Sequence, residues 1–313
     1  MNKGVLFGAG AYLIWGFFPL YIKAVQSVPA LQIMFHRVVW SFILLVIVIL
    51  ARQQQRKLLA EASSRRTLGV YTIASLLLAA NWLIYVWGVN SGQVVETSLG
   101  YFINPLFSVL LGVIFLRERL RPWQWLPFGL AASGVAYLTV SYGALPWIAL
   151  ALTLTFGLYG LIKKISPLEA LSGLTMETGL LFLPAAGYLA YLGSLGEGSF
   201  GRLGWSTDLL LALSGIVTAV PLLMFATAAR RIPLWMVGLL QYIAPTGQFL
   251  LGILVYHEPF SQERLIGFVI IWAALLLFTL EGFISRRPLS FHELLTPKRM
   301  KNSPQRHQDT KNH

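Results

Sequence analysis

Apolar residues run through this chain in ten stretches, at roughly 4–22, 32–50, 68–89, 97–116, 123–141, 145–162, 173–192, 209–228, 234–255 and 265–284. At about 1.5 Å per helical residue, each is long enough to cross ~30 Å of hydrocarbon. A segment in lipid must satisfy its own backbone, so the pattern predicts an all-α integral membrane protein with ten transmembrane helices. Only 12% of the 313 residues are charged and 56% are hydrophobic, and no aqueous core of this size hides so much apolar surface. The first stretch follows Lys3 as a signal peptide would, and Val25-Gln26-Ser27 is a passable cleavage site. Lys23 and Pro29 interrupt that pattern and nine more apolar stretches follow, so the first span is expected to be retained.

Charge sets the orientation. With ten spans both termini lie on one side, and 20 of the 24 Lys and Arg fall there, including Lys3, Arg52, Arg117, Lys163, Arg230 and the tail from Arg286 to Lys311. Lys23, Arg37, Arg202 and Arg264 are the others. This bias predicts cytoplasmic termini. It also accounts for the net charge of +12 without nucleic acid as a partner. The absence of cysteine excludes disulfides, thiolate metal sites and a cysteine nucleophile.

Two spans look like copies of one another. Asn104-Pro105 continues to Gly112 and Glu118, and Ala244-Pro245 continues to Gly252 and Glu258, 140 residues later. Trp15-Gly16 with Lys23 has an echo in Phe156-Gly157 with Lys164 at an offset of 141, and Pro29 matches Pro167 at 138. Five spans is an odd number, so a second copy enters the membrane upside down. An inverted repeat of this kind, with paired broken helices, is the sequence trace of a transporter whose site lies between the halves. The expected units are residues 1–143, the inverted unit 144–285, and a basic disordered cytoplasmic tail, 286–313. Gly143 and Pro146 make a tight hairpin between spans five and six.

The candidate site follows from the breaks. Pro105 and Pro245 each remove a backbone donor, freeing the carbonyls of Tyr101 and Gln241. Free carbonyls at membrane depth are tolerated only against protein or a water-filled cavity. Polar residues cluster around them, and Asn81, Tyr85, Tyr101, Asn104, Gln241 and Tyr242 are the expected substrate-binding set beside the two prolines. Ionisable groups inside spans cost roughly 3 kcal/mol each on insertion scales, which marks His36, Arg37, Glu96 and Glu177. Arg37 and Glu177 are 140 apart, so an ion pair across the repeat is expected, with Glu96 and Glu177 the candidates for proton coupling. Glu118 and Glu258 are read as end-of-helix ion pairs with the arginines and histidine around them. Gly100, Gly112, Gly247 and Gly252 suit close helix packing.

No Walker loop, paired His/Glu metal ligands or nucleophile elbow occurs, and Gly8-Ala9-Gly10 lies in a span rather than after a strand. No enzyme activity, metal or cofactor is expected. The run Ser98-Leu99-Gly100-Tyr101-Phe102-Ile103-Asn104-Pro105-Leu106, with Gly112 and Glu118-Arg119-Leu120, resembles the signature of the RarD group of EamA-type transporters, in the drug/metabolite transporter superfamily. Trp15-Gly16-Phe17-Phe18-Pro19 and His36-Arg37 with Trp40-Ser41 resemble it too. The resemblance covers nearly all of residues 1–285 and implies ten helices, a bacterial inner-membrane location and export of a small solute, either chloramphenicol-like or amino-acid-like. It offers no site residues to carry over. The partners expected are a small-molecule solute, protons and membrane lipid; a non-transporting receptor or assembly factor is the alternative.

Overall fold

The structure is a computed structural model that describes residues 3–62, 64–91, 94–143, 145–255 and 262–284; the side chains of residues 89, 90, 94–96, 98, 142, 253, 263, 264 and 282–284 are not among those described. The basic tail, His257, Glu258 and the Glu96 side chain therefore lie outside the described residues.

Every apolar stretch is helical, and no strand occurs among the described residues. In chain order the helices are α1 (Lys3–Gly16), α2 (Phe18–Ala24), α3 (Ala30–Ala51), α4 (Gln55–Ala62), α5 (Arg65–Asn90), α6 (Val94–Phe115), α7 (Trp125–Tyr142), α8 (Trp147–Ile165), α9 (Ala170–Leu195), α10 (Trp205–Arg231), α11 (Leu234–Gln241), α12 (Ile243–Leu254) and α13 (Gln262–Ile284). Seven helical stretches are long and apolar enough to cross a membrane, and Leu99–Phe115 and Leu265–Glu281 are shorter apolar helices. Ile47, Leu76, Ile114 and Leu183 are more than half exposed on the outside, which only lipid tolerates in such number. The chain is a multi-pass membrane protein.

Local sequence explains the element ends. Gly143 takes a left-handed φ of 77° to close α7, and Pro146 caps α8. The stretch between α3 and α5, read from sequence as a loop, contains the short α4, whose Lys57 reaches Glu169 at 3.2 Å. The two prolines behave differently. Pro245 separates α11 from α12 at Tyr242, whereas α6 runs unbroken through Pro105. A third break was not anticipated: Pro19 stands in the first turn of α2, and the chain turns at Phe17 between α1 and α2.

Packing interleaves early and late helices. α1 lies against α10 and α12, α6 against α8 and α11, α3 against α9 and α10, α5 against α8 and α9, and α7 against α13. Tyr12, Leu45, Leu78, Leu111, Tyr159, Phe225 and Val237 form the central core, and Phe102, Val135, Tyr242 and Phe268 a second cluster.

Two expectations about charge are corrected. Glu118 does not pair with the neighbouring arginines. Its carboxylate accepts hydrogen bonds from the backbone N–H groups of Leu234 and Trp235, at 2.7 and 3.0 Å, capping the start of α11. The first N–H groups of a helix have no internal partner and carry partial positive charge, so an anion there satisfies both needs. Gly112 makes room for it, since a Cβ would stand 2.5 Å from Glu118 Oε2.

Nor does Glu177 meet Arg37. It is fully buried and bonds Lys163 at 2.7 Å, while the Tyr159 hydroxyl donates to its other oxygen at 3.0 Å. Lys163 had been counted with a loop; the structure places it in the last turn of α8 and 2% exposed. An offset of one repeat makes two residues equivalent, not adjacent. Here α3 and α9 meet through apolar rings, Phe42 on Phe182 and Phe35 on Tyr188, which leaves no polar route between them.

Removing one partner of a buried ion pair strands a charge, at a cost of about 3–5 kcal/mol. Glu177→Gln should therefore lower the melting temperature in detergent sharply. The double change Lys163→Met with Glu177→Leu, which removes both charges, should recover most of that loss; a double variant less stable than either single one contradicts this account.

Candidate functional site

Where the helix breaks converge, the protein holds a partly open cavity of about 120 Å³. On this measure one water needs roughly 10–15 Å³, so the space suits a small organic solute. Its walls are aromatic: Trp15 of α1, Phe18 of α2, Trp82 and Tyr85 of α5, Tyr101 of α6 and Phe156 of α8. Its polar groups are the amides of Asn81, Asn104, Gln241 and Gln248, with Thr97, Tyr12 and one charge, Arg37.

Side chains from distant helices bond the backbone around Pro19 and Pro105. Pro19 cannot donate to the Trp15 carbonyl, and Gln248 Nε2 of α12 supplies that bond at 3.2 Å. α1 and α12 come close enough for this because both are glycine there: a Cβ on Gly247 would stand 3.1 Å from Gly16 Cα. Around Pro105, the Gly100 carbonyl accepts from Thr153 Oγ1 at 3.3 Å and the Phe102 carbonyl from the Tyr242 hydroxyl at 3.4 Å. Asn104 Nδ2 donates to Gln241 Oε1 at 2.7 Å, and Gln241 Nε2 to Ser108 Oγ at 3.0 Å, tying α6 to the end of α11. Asn81 Nδ2 bonds the Leu152 carbonyl at 3.0 Å and Thr155 Oγ1 at 2.9 Å.

Two buried polar groups of the cavity wall have no partner among the described residues. Asn104 Oδ1 is buried without a partner, and the Tyr12 hydroxyl lies near the Gln241 amide but outside hydrogen-bonding geometry. Arg37 is held by Nε on Thr218 Oγ1 at 2.8 Å. Its guanidinium carbon lies 4.8 Å from the centroids of both Phe18 and Trp82, a cation–π arrangement.

Of the residues singled out from sequence, Asn81, Tyr85, Tyr101, Asn104, Gln241 and Arg37 line this cavity. Pro105 and Pro245 shape the helices behind it. Tyr242 is buried in the second core cluster instead. His36 points away and stacks on Phe200 at 5.5 Å, and Glu177 is committed to Lys163. Sequence reasoning missed Trp15, Phe18, Trp82, Phe156 and Gln248 as lining. A signal existed for two of them: Trp15 and Phe156 were paired by the repeat, and their rings meet at 6.0 Å.

The EamA-like transporter family profile matches residues 2–140. The chain is 45% identical to the uncharacterized transporter YojE of Bacillus subtilis (strain 168), over 93% of this chain and 98% of that one. It is 40% identical to the protein RarD of Escherichia coli (strain K12), over 92% and 98%, and 31% identical to the chloramphenicol-sensitive protein RarD of Pseudomonas aeruginosa, over 88% and 93%. A crystal structure of a protein 21% identical superposes with a TM-score of 0.67, covering 90% of this chain and 99% of its own. At that identity the likeness speaks for the fold.

The cavity depends on how closely α6 and α11 approach. A Cβ on Gly238 would stand 2.6 Å from the Pro105 carbonyl oxygen, so Gly238→Ala should push the helices apart. Overpacking of this kind costs about 1–3 kcal/mol. Melting in detergent should fall accordingly, while Gly129→Ala on α7, where nothing lies within 4 Å, should leave it unchanged.

Proposed function

This chain belongs to the EamA-like transporter family, and from that premise we propose that it is a secondary transporter of the bacterial inner membrane, working by alternating access of two inverted five-helix units. The substrate site is the aromatic cavity where α1, α5, α6, α8 and α11 meet. The observation that carries the reading is the site's construction: broken helix ends and polar groups lining a partly open cavity among apolar helices. A purely structural core has no use for a roomy polar interior.

The pattern of packing supports the inverted repeat. Exchanging spans one to five with spans six to ten turns α1-on-α12 into α8-on-α6 and α3-on-α10 into α9-on-α5, and leaves α3-on-α9, α6-on-α11 and α7-on-α13 unchanged. All these pairs occur. The family profile ends at residue 140, near the close of the first unit. Cytoplasmic termini follow from the Lys and Arg distribution.

The direction is export, and the cargo a small metabolite or drug; one relative is named for chloramphenicol sensitivity. Glu177, held by Lys163, is structural in this reading, which leaves Glu96 as the group for proton coupling. Partners are therefore a small solute, protons and lipid; no catalytic step is involved.

Flux into proteoliposomes tests the reading, with and without an imposed pH gradient, using chloramphenicol and a mixture of amino acids. Uptake driven by the gradient and abolished in Glu96→Gln is the expected result. Uptake indifferent to both removes proton coupling and leaves facilitated diffusion. No flux from folded protein favours the receptor. Topology is checked separately, because the chain has no cysteine: Ser64→Cys and Ser194→Cys should label from opposite sides of the membrane.

A further inference from the structure

We propose that the solute this cavity takes carries a single carboxylate on a flat apolar body, and that Arg37 grips that carboxylate. The inference rests on the cavity being the transport site and adds the substrate's chemistry to it.

The first observation is an unbalanced charge. Among the described side chains Arg37 is the only charged one lining the cavity, and no described carboxylate approaches it. The ionisable groups around it among the described residues are phenols, those of Tyr21, Tyr85 and Tyr101. Lys163 supplies the contrast inside the same protein. That buried cation has been given a carboxylate at 2.7 Å whose second oxygen is also bonded. The fold neutralises the cation that faces its core and leaves bare the one that faces its cavity. A desolvated guanidinium without a counterion is expensive, and a ligand that supplies the counterion recovers that expense as affinity.

The second observation is how Arg37 is held. Nε is fixed on Thr218 and the rings of Phe18 and Trp82 sit at equal distance from the guanidinium carbon. The plane is thereby oriented and neither terminal nitrogen has a hydrogen-bond partner among the described residues. A guanidinium edge presented in this way matches the two oxygens of one carboxylate. Buried Asn104 Oδ1, which lacks any partner, offers an acceptor for an N–H or O–H elsewhere on the ligand. The remaining wall is aromatic, and the volume holds one ring-sized body. One cation in such a space rejects polyanions.

The test compares acids with their own primary amides, which keep shape and remove charge. Purified native protein in detergent is titrated with 3-phenylpropionate, indole-3-acetate and L-phenylalanine, each beside its amide, following calorimetric binding and the thermal melt. The acids should bind at least about tenfold more tightly than the amides. Acetate, which lacks the body, should bind more weakly than 3-phenylpropionate. Arg37→Gln should erase the difference between acid and amide while melting, without ligand, at the same or a higher temperature, because it removes an unpaired charge. Amides binding as well as acids, no acid binding at all, or discrimination persisting in Arg37→Gln would each overturn the assignment. So would a ligand-free melt that drops in Arg37→Gln and recovers in Arg37→Lys, since that assigns the cation to structure. These outcomes are separable from the transport reading. Protein-dependent flux of neutral chloramphenicol, equal in native protein and Arg37→Gln, sinks the carboxylate assignment and leaves the transporter standing.

Discussion

Lipid offers no hydrogen bonds, and a backbone group left unpaired in hydrocarbon costs several kcal/mol. That constraint organises this protein. A helix meets it alone until a proline or a helix end interrupts the ladder, and at several interruptions here a side chain from far along the sequence supplies a bond. Gln248 bonds the carbonyl that Pro19 strands, and Glu118 satisfies the first two N–H groups of α11. Tyr242 and Thr153 take carbonyls in the turn before Pro105. These bonds are polar stitches between helices that hydrophobic attraction cannot hold together, because lipid is as apolar as they are. They also bring the amides and aromatic rings of seven helices around one space.

The space inherits an asymmetry. Asn104 bonds Gln241 across the pair α6 and α11, yet Ala244 stands at the 140-residue offset where a second such amide would fall. Arg37 and Glu177 stand one repeat apart and have gone separate ways, one to the cavity wall and the other into a buried ion pair.

Much of the fold was legible because hydrophobic length and backbone physics are local. The ten apolar stretches are helical, and Gly143 with Pro146 marks its turn as expected. Most of the predicted polar set lines the cavity too, Asn81, Tyr85, Tyr101, Asn104 and Gln241 but not Tyr242, since polar residues inside apolar spans have few other reasons to be there. What failed was adjacency. Lys163 looked like a loop cation by the positive-inside pattern, and nothing local said that α8 would extend far enough to bury it against Glu177. Glu118 sat among arginines in sequence, but the nearest unmet electrostatic demand was a helix start 116 residues away. Pro19 was noticed only within the WGFFP run, although its missing donor created the break that Gln248 repairs. Arginine 37 stood out as costly, and its partner was misassigned because a repeat offset reports equivalence of environment, not contact.

The long-range stitches bear on how the protein is made. Glu118 leaves the ribosome 116 residues before Leu234, the group it will cap, and the Trp15 carbonyl precedes Gln248 by 233. At synthesis rates of ~5–20 residues per second, the first interval is on the order of ten seconds and the second about twice that. Through that time the early helices are in the bilayer with interrupted ladders and no second half to complete them. They must be sheltered by water at the membrane surface, by the insertion machinery or by one another. The native arrangement is then closed from its C-terminal half backwards, as each late-arriving helix completes one made long before it.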